Sequence, residues 1–296
     1  MKNANASQAR FTSTHGAAFW LTGSMAVVAV SVVTILFAFL FWESLPIFQQ
    51  QGFSFLTGTE WFPGEVYGAL PMIAGTLWVT ALALVIVLPF ALGAAVFTSE
   101  FLPPRGRLAV KAVMELLAGV PGIVYGLMGV TLVAVWVRDV FGLIDGNTLF
   151  TAGLLLAVMI LPTVMTLSED ALQAVPGEYR DTALGLGLTR WETVFRAVLP
   201  QALPGIAGAV FLGMGRAMGE TIAVMLVIGG LDRIPDPWYN LFLPGQSIPS
   251  KIGREAAESL GFGLQWNALI GLGLILFVMV MLLSWTGNRL LRRVRA

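Results

Sequence analysis

Long apolar runs separated by shorter polar connections dominate this chain. The runs cover residues 18–42, 72–98, 112–137, 149–168, 204–230 and 266–287. A helix needs about 20 mostly apolar residues to cross the hydrocarbon core of a bilayer, so the pattern predicts six transmembrane helices. The third helix should be kinked or broken near Pro121. The fourth should be short, because Leu161-Pro162 and Glu169-Asp170 interrupt its apolar stretch.

The composition agrees with an all-α, polytopic membrane bundle and excludes other classes. Of the 296 residues, 57% are hydrophobic and 11% charged, whereas a soluble domain has about 25% charged residues. A soluble enzyme, a disordered chain and a secreted disulfide scaffold are therefore excluded. The chain has no cysteine, and His15 is its only histidine, so we expect no metal site. The net charge of zero gives no reason to expect nucleic-acid binding.

The distribution of lysine and arginine predicts the orientation of the helices. With both termini placed inside the cell, twelve of these residues lie in cytoplasmic segments and four in external ones, which is a clear positive-inside bias. The cytoplasmic set is Lys2, Arg10, Arg105, Arg107, Lys111, Arg180, Arg190, Arg196, Arg289, Arg292, Arg293 and Arg295, and the external set is Arg138, Arg233, Lys251 and Arg254. Both termini are thus predicted to be cytoplasmic.

The connection at residues 169–203 is too polar to cross a bilayer and is strongly patterned. Pro176 can open a helix, and Gly185 and Gly187 should end it. Residues 191–198 then predict a second amphipathic helix, which Leu199-Pro200 should end. This helix–turn–helix could bind a partner, or it could lie on lipid headgroups as an interfacial helix.

The order of residues favours a partner. Asp181-Thr182-Ala183, Gly187 and Leu199-Pro200 resemble the coupling loop of bacterial ABC importer permeases, E-A-A, three residues, G, nine residues, I-x-L-P. Asp replaces Glu, Thr replaces the first Ala, and Ala197 replaces Ile. The resemblance implies a short cytoplasmic coupling helix that binds a separate ATPase. The residues it assigns to this contact are Asp181, Ala183, Leu184, Gly187, Arg190, Trp191, Leu199 and Pro200.

No phosphate-binding G-x-x-x-x-G-K-[ST] loop occurs in the chain. We therefore expect no catalytic residue and no cofactor in this chain, and the resemblance implies that a partner ATPase binds ATP and Mg. The chain is expected to be a transporter subunit and not an enzyme.

The fifth apolar run contains two charged residues, Arg216 and Glu220, four positions apart and so on one face of a continuous helix. An ionisable group at the bilayer centre costs about 2.5–3.5 kcal/mol on insertion scales. The two residues could neutralise each other, or they could line a polar pathway. The planar fork of arginine suits a tetrahedral oxyanion, and a nearby carboxylate can accept a hydrogen bond from a protonated one such as phosphate.

Residues 213–230, GMGRAMGETIAVMLVIGG, and 121–127, PGIVYGL, resemble the PstC-type permease family of bacterial phosphate ABC importers. The resemblance covers most of residues 66–290 and implies a type I importer permease in the bacterial inner membrane. It places Arg216, Glu220 and Thr221 in the substrate pathway. The implied partners are a PstA-type permease, an ATPase dimer on the cytoplasmic side, an external phosphate-binding protein and membrane lipid.

On this interpretation the chain divides into four parts. Residues 1–17 form a cytoplasmic tail, 18–65 the first transmembrane helix with an external segment, 66–290 the permease core and 291–296 a basic cytoplasmic tail. Three alternatives stay open. They are a permease for another oxyanion (molybdate, sulfate or phosphonate), a proton-driven secondary transporter with Glu220 as proton carrier, and a membrane enzyme.

Overall fold

The computed structural model describes residues 2–261 and 263–294, which are mostly helical. Within these described residues, six helical stretches are long and apolar enough to cross a membrane, which confirms the predicted number. In chain order, spans one to six are Ala18–Gln51, Leu70–Glu100, Gly122–Phe141, Leu149–Gln173, Arg190–Gly219 and Gly263–Gly287.

The helices and strands follow one another with short connections. In chain order they are α1 Lys2–Gln51, α2 Ser54–Thr57, β1 Trp61–Phe62, β2 Val66–Tyr67, α3 Leu70–Glu100, α4 Pro104–Ala118, α5 Gly122–Met128, a π-helical segment Gly129–Ala134, α6 Val135–Phe141, α7 Leu149–Gln173, α8 Gly177–Gly185, α9 Arg190–Thr193, a second π-helical segment Val194–Val198, α10 Leu199–Gly219, α11 Ile222–Val227, α12 Ile248–Ser259 and α13 Gly263–Val294. The strands β1 and β2 pair as an antiparallel hairpin.

Helix α7 lies at the centre of the bundle, with α3 and α10 packed against it. On α3, Ala83, Ala91 and Ala95 are fully buried, and their four- and eight-residue spacing gives one face of small side chains. On α7, a Cβ atom at Gly153 would lie 2.6 Å from Leu82 Cδ2. Small residues therefore allow these two helices to approach closely, as expected for helices packed within a membrane.

The third apolar run of the sequence, residues 112–137, is broken where the sequence predicts it. Helix α4 ends at Ala118, the backbone at Pro121 is extended (φ −60°, ψ 139°), and α5 begins at Gly122. Proline has no N–H with which to continue the helical hydrogen bonds. As a result, α4 forms a separate amphipathic helix before span three.

The fourth span is longer than predicted. Pro162 lies inside α7, which continues to Gln173. The helix can extend past Glu169 because this carboxylate, 2% exposed, faces Arg107 and Lys111 of α4. These ion pairs compensate Glu169 for its loss of contact with water, whereas the sequence prediction took the charge of Glu169 as a reason for the helix to end.

The prediction that Leu199-Pro200 ends a helix is wrong. The chain continues from α9 through the π-helical segment Val194–Val198 into α10, and Pro200 lies in the first turn of α10. The π-helical turn shifts the hydrogen bonds that precede Pro200, so the missing N–H of this proline does not end the helix. Leu199 and Pro200 thus lie within the continuous helical stretch of span five.

The end of the bundle that carries the β-hairpin is closed by a polar cluster. Lys251 of α12 is 2% exposed and forms ion pairs with Asp232, at 2.5 Å, and with Glu255. The indole N–H of Trp61 donates to Glu255 Oε2 at 3.1 Å. These contacts fix the hairpin, α12 and the loop between α11 and α12 to one another.

Candidate functional site

Arg216 lies in the last turn of α10 and contacts two other parts of the bundle. Its Nη1 donates to the hydroxyl of Thr163 on α7 at 2.9 Å, and its Nη2 donates to the carbonyl oxygen of Ala118 at 3.2 Å. The residue is exposed in this single chain. The guanidinium therefore joins span five to span four and to the break before span three, with one side left open.

Two local features bring these groups together. A Cβ atom at Gly213 would lie 2.5 Å from Val164 Cγ2, so this glycine allows α10 to approach α7 beside Thr163. Ala118 is the last residue of α4, and the last carbonyls of a helix lack intrahelical donors. These carbonyls form the negative end of the helix dipole, which attracts the arginine.

Of the two alternatives for Arg216 and Glu220, mutual neutralisation is not what the structure shows. Helix α10 ends at Gly219, and Glu220 is extended (φ −70°, ψ 118°). Its Oε1 accepts from the backbone N–H of Ala223 at 3.3 Å, at the start of α11. Within residues 2–261 and 263–294 no ion pair joins Arg216 to Glu220. Because the helix breaks between them, the four-residue spacing does not place them on one face.

Glu220 also lies against the start of α5. A Cβ atom at Gly122 would be 2.7 Å from Glu220 Oε1, so glycine leaves room for the carboxylate at this position. The following residue, Thr221, donates through its hydroxyl to the carbonyl of Gly219 at 3.3 Å. Its methyl group faces α12, where a Cβ at Gly253 would be 2.8 Å away. The break between α10 and α11 therefore lies next to the break between α4 and α5.

The connection between spans four and five has the predicted helix–turn–helix. Helix α8 ends at Gly185, and Gly187 has a φ of +87°, a conformation that glycine adopts without steric cost. The N–H of Leu188 then donates to the carbonyl of Ala183 at 3.2 Å. Thr189 and Glu192 form a reciprocal capping box that starts α9.

The residues assigned to ATPase coupling differ in exposure. Ala183 is buried and Leu199 is half-buried, whereas the exposed ones are Asp181, Leu184, Gly187, Arg190, Trp191 and Pro200. Leu186, outside the assigned set, is 76% exposed. The Trp191 ring packs on Phe101, with 4.5 Å between ring centroids. The loop therefore presents apolar side chains outward while Trp191 contacts the segment that follows span two.

Sequence reasoning missed Arg180, which fixes α8 to the rest of the bundle. Its guanidinium donates to both carboxylate oxygens of Glu100, at 2.7 and 3.0 Å. It also donates to the carbonyls of Val175 and Leu172, at 2.8 and 2.9 Å. The hydrogen bonds that Arg180 donates to the Glu100 carboxylate raise the pKa of Arg180 above its ordinary value. No sequence signal links the two residues, because they are 80 positions apart.

A second set of charges, also missed, holds α4 on α7. Arg107 and Lys111 contact Glu169 at 3.3 and 3.4 Å, and Lys111 also pairs with Asp170. The hydrogen bond that Lys111 donates to the Asp170 carboxylate is the main cause that raises the pKa of Lys111. Because α4 ends at the carbonyl that Arg216 contacts, these ion pairs also fix the position of that carbonyl.

These features define a class of protein: a helical membrane bundle with a discontinuous span, an arginine within it and a patterned loop between two spans. Residues 88–296 match the family of binding-protein-dependent transport system inner membrane components. Solved ABC transporters share the fold. The chain aligns with a MetNI methionine ABC transporter at a TM-score of 0.57, with 19% identity over 77% of this chain and 94% of the other. A bacterial alginate importer aligns at 0.57, with 16% identity over 90% and 95%.

Curated relatives define the family more narrowly. The chain is 39% identical to the phosphate transport system permease protein PstC of Pasteurella multocida, over 86% of this chain and 83% of that protein. It is 38% identical to PstC of Mesorhizobium japonicum, over 86% and 82%, and 39% identical to PstC of Haemophilus influenzae, over 82% of each. The chain belongs to the PstC family of ABC importer permeases, and its fold is that of a type I importer permease.

Proposed function

We propose that this chain is the permease subunit of an ATP-driven phosphate importer and forms half of its translocation pathway. The observation that carries the proposal is the 38–39% identity to three PstC proteins over more than four-fifths of both chains. An arginine within span five fits this cargo chemically, because a guanidinium stays charged at any working pH and matches tetrahedral oxyanions.

The same proposal assigns the partners. A PstA-type permease would cover the open side of Arg216, since a lone charge facing lipid is costly. An ATPase dimer would bind the connection between spans four and five on the cytoplasmic side, and it would supply the ATP and Mg site. A phosphate-binding protein would deliver cargo from outside. The positive-inside bias supports an inner-membrane topology with both termini in the cytoplasm.

Within the pathway we assign Arg216 a transient contact with phosphate. Glu220 and Thr221 would line the pathway at the break in span five. The carboxylate of Glu220 caps α11, so it would keep the break open as well as limit how tightly the anion is held. This arrangement needs a pathway between the two permeases, on the side of Arg216 that is exposed in the single chain.

The test is uptake of radiolabelled phosphate at micromolar concentration in cells that lack their own high-affinity system. The cells would express this chain with its three partner proteins, next to Arg216→Ala and Arg216→Lys variants. The control is Arg138→Ala, which removes an exposed arginine whose one ion pair among the described residues is with its neighbour Asp139.

We expect uptake that requires the ATPase, resists excess sulfate, is lost in Arg216→Ala, is weakened in Arg216→Lys and is normal in Arg138→Ala. Assembly with the ATPase should be unchanged in all variants. Absence of phosphate uptake by an assembled wild-type complex would refute the phosphate assignment. Full uptake by Arg216→Ala would instead remove Arg216 from the pathway.

A further inference from the structure

The hydroxyl of Thr163 is bonded differently from those of three other threonines in these helices. Thr34, Thr131 and Thr166 each donate to the carbonyl four residues earlier, at 2.8–2.9 Å, which is the usual arrangement for threonine within a helix. Thr163 instead accepts from Arg216 Nη1 at 2.9 Å. In the part of the chain that the structure describes, its hydroxyl makes no bond to its own helix.

This geometry leaves the Thr163 proton free for another acceptor. A hydroxyl has one donor and two acceptor sites, and accepting from Arg216 uses one acceptor site only. The free O–H is therefore next to a guanidinium that has further N–H donors. An anion that reaches the open side of Arg216 meets both groups together, and hydrogen bonds in which one partner is charged are the stronger ones.

We propose that Thr163 is a second anion-binding residue of the pathway, which also holds one arm of the Arg216 fork in place. The proposal rests on the phosphate-importer function above. Its hydroxyl can donate to an unprotonated phosphate oxygen and accept from a protonated one, so it suits both protonation states present near neutral pH. Holding Arg216 in advance also reduces the rotamer entropy that an arginine loses on binding.

The position of Thr163 is set by the fold and not by its neighbours in sequence. It follows Pro162 in α7, at the point where α10 approaches because Gly213 faces Val164. The carbonyl of Ala118 holds the other arm of the fork at 3.2 Å. The three groups come from spans four and five and from α4, so the site exists only when these elements are assembled.

The test compares Thr163→Val, which keeps the shape but removes the hydroxyl, with Thr163→Ser, which keeps the hydroxyl. Thr166→Val is the matched control. Thr166 lies on the same helix, and among the described residues its hydroxyl bonds to backbone carbonyls of that helix alone. The complete transporter would be reconstituted in vesicles with the binding protein. Phosphate-uptake KM and kcat would be measured together with ATP hydrolysis.

For Thr163→Val we expect the rate of phosphate uptake at saturation to fall about tenfold, as for one lost charge-assisted hydrogen bond, with the KM unchanged because the binding protein sets it and with the assembled complex still hydrolysing ATP. Thr163→Ser should stay within about twofold of wild type, and so should Thr166→Val. An unchanged uptake rate in Thr163→Val would overturn the proposal. So would a Thr163→Ser variant as impaired as Thr163→Val, because the methyl group would then be what matters. A wild-type complex without phosphate uptake would overturn the proposed function first, and this inference with it.

Discussion

The ion pair between Arg180 and Glu100 leads to a quantitative prediction about how α8 is attached to the end of span two. Arg180→Met removes four hydrogen bonds of 2.7–3.0 Å and leaves a carboxylate that is 9% exposed without its cation. Breaking one side of a buried ion pair costs about 3–5 kcal/mol. Because Arg180 keeps 23% exposure, we expect the low end, about 3 kcal/mol.

A loss of about 3 kcal/mol makes detachment of α8 from the end of span two more than a hundredfold easier. The transporter should then still assemble and hydrolyse ATP, but it should import less phosphate per ATP, because motion of the loop would no longer move span two. Reconstituted vesicles allow uptake and hydrolysis to be measured on the same sample. Arg180→Lys should be intermediate, since lysine keeps the charge but not the planar fork.

Glu100→Gln and the double variant complete a thermodynamic cycle for this pair. We expect the double variant to be less impaired than the sum of the single variants, because no carboxylate is then left unpaired. Arg138→Met, which disrupts an exposed pair (46% and 61%), should import normally. If Arg180→Met imports as much phosphate per ATP hydrolysed as the wild type does, the proposed role of the Arg180–Glu100 ion pair in coupling is refuted.

Two further predictions concern helix packing and pH. Gly213→Ala should destabilise the purified protein by about 1–3 kcal/mol through overpacking against Val164, seen as a lower thermal midpoint. Gly208→Ala lies on the same helix, where a Cβ atom meets nothing within 4 Å, and it should not lower the thermal midpoint. Equal thermal midpoints for the two variants would contradict the close packing at Gly213. Because the pKa of Lys111 is raised from 10.5, its ion pairs should stabilise the protein equally from pH 6 to 9 and lose strength only at more alkaline pH. A Lys111→Met variant whose stability deficit changed between pH 6 and 9 would contradict this.

Periodicity and composition were sufficient to predict several parts of the fold. Six spans, the break at Pro121 and the glycine turn at Gly187 each follow from a local property: apolar length, a missing N–H or a positive φ. Prediction failed where a tertiary contact changed the outcome. Ion pairs with α4 let α7 continue past Glu169, and a π-helical segment carried the chain through Pro200.

The candidate site shows the same division. Sequence singled out Arg216 and Glu220, because charge within an apolar run is costly and therefore noticeable. It did not find Thr163, since a threonine in an apolar helix gives no signal, and it could not tell that Glu220 leaves the helix.

The sequence by itself determined that this is a six-span membrane protein with a patterned loop between spans four and five and a charge-bearing span, because these properties depend on neighbours in the chain. Only the tertiary structure decided which groups meet. Arg216 contacts residues 53 and 98 positions away, and Arg180 pairs with a residue 80 positions away. Such contacts depend on how closely small residues let the helices approach, and that distance is a property of the packed bundle.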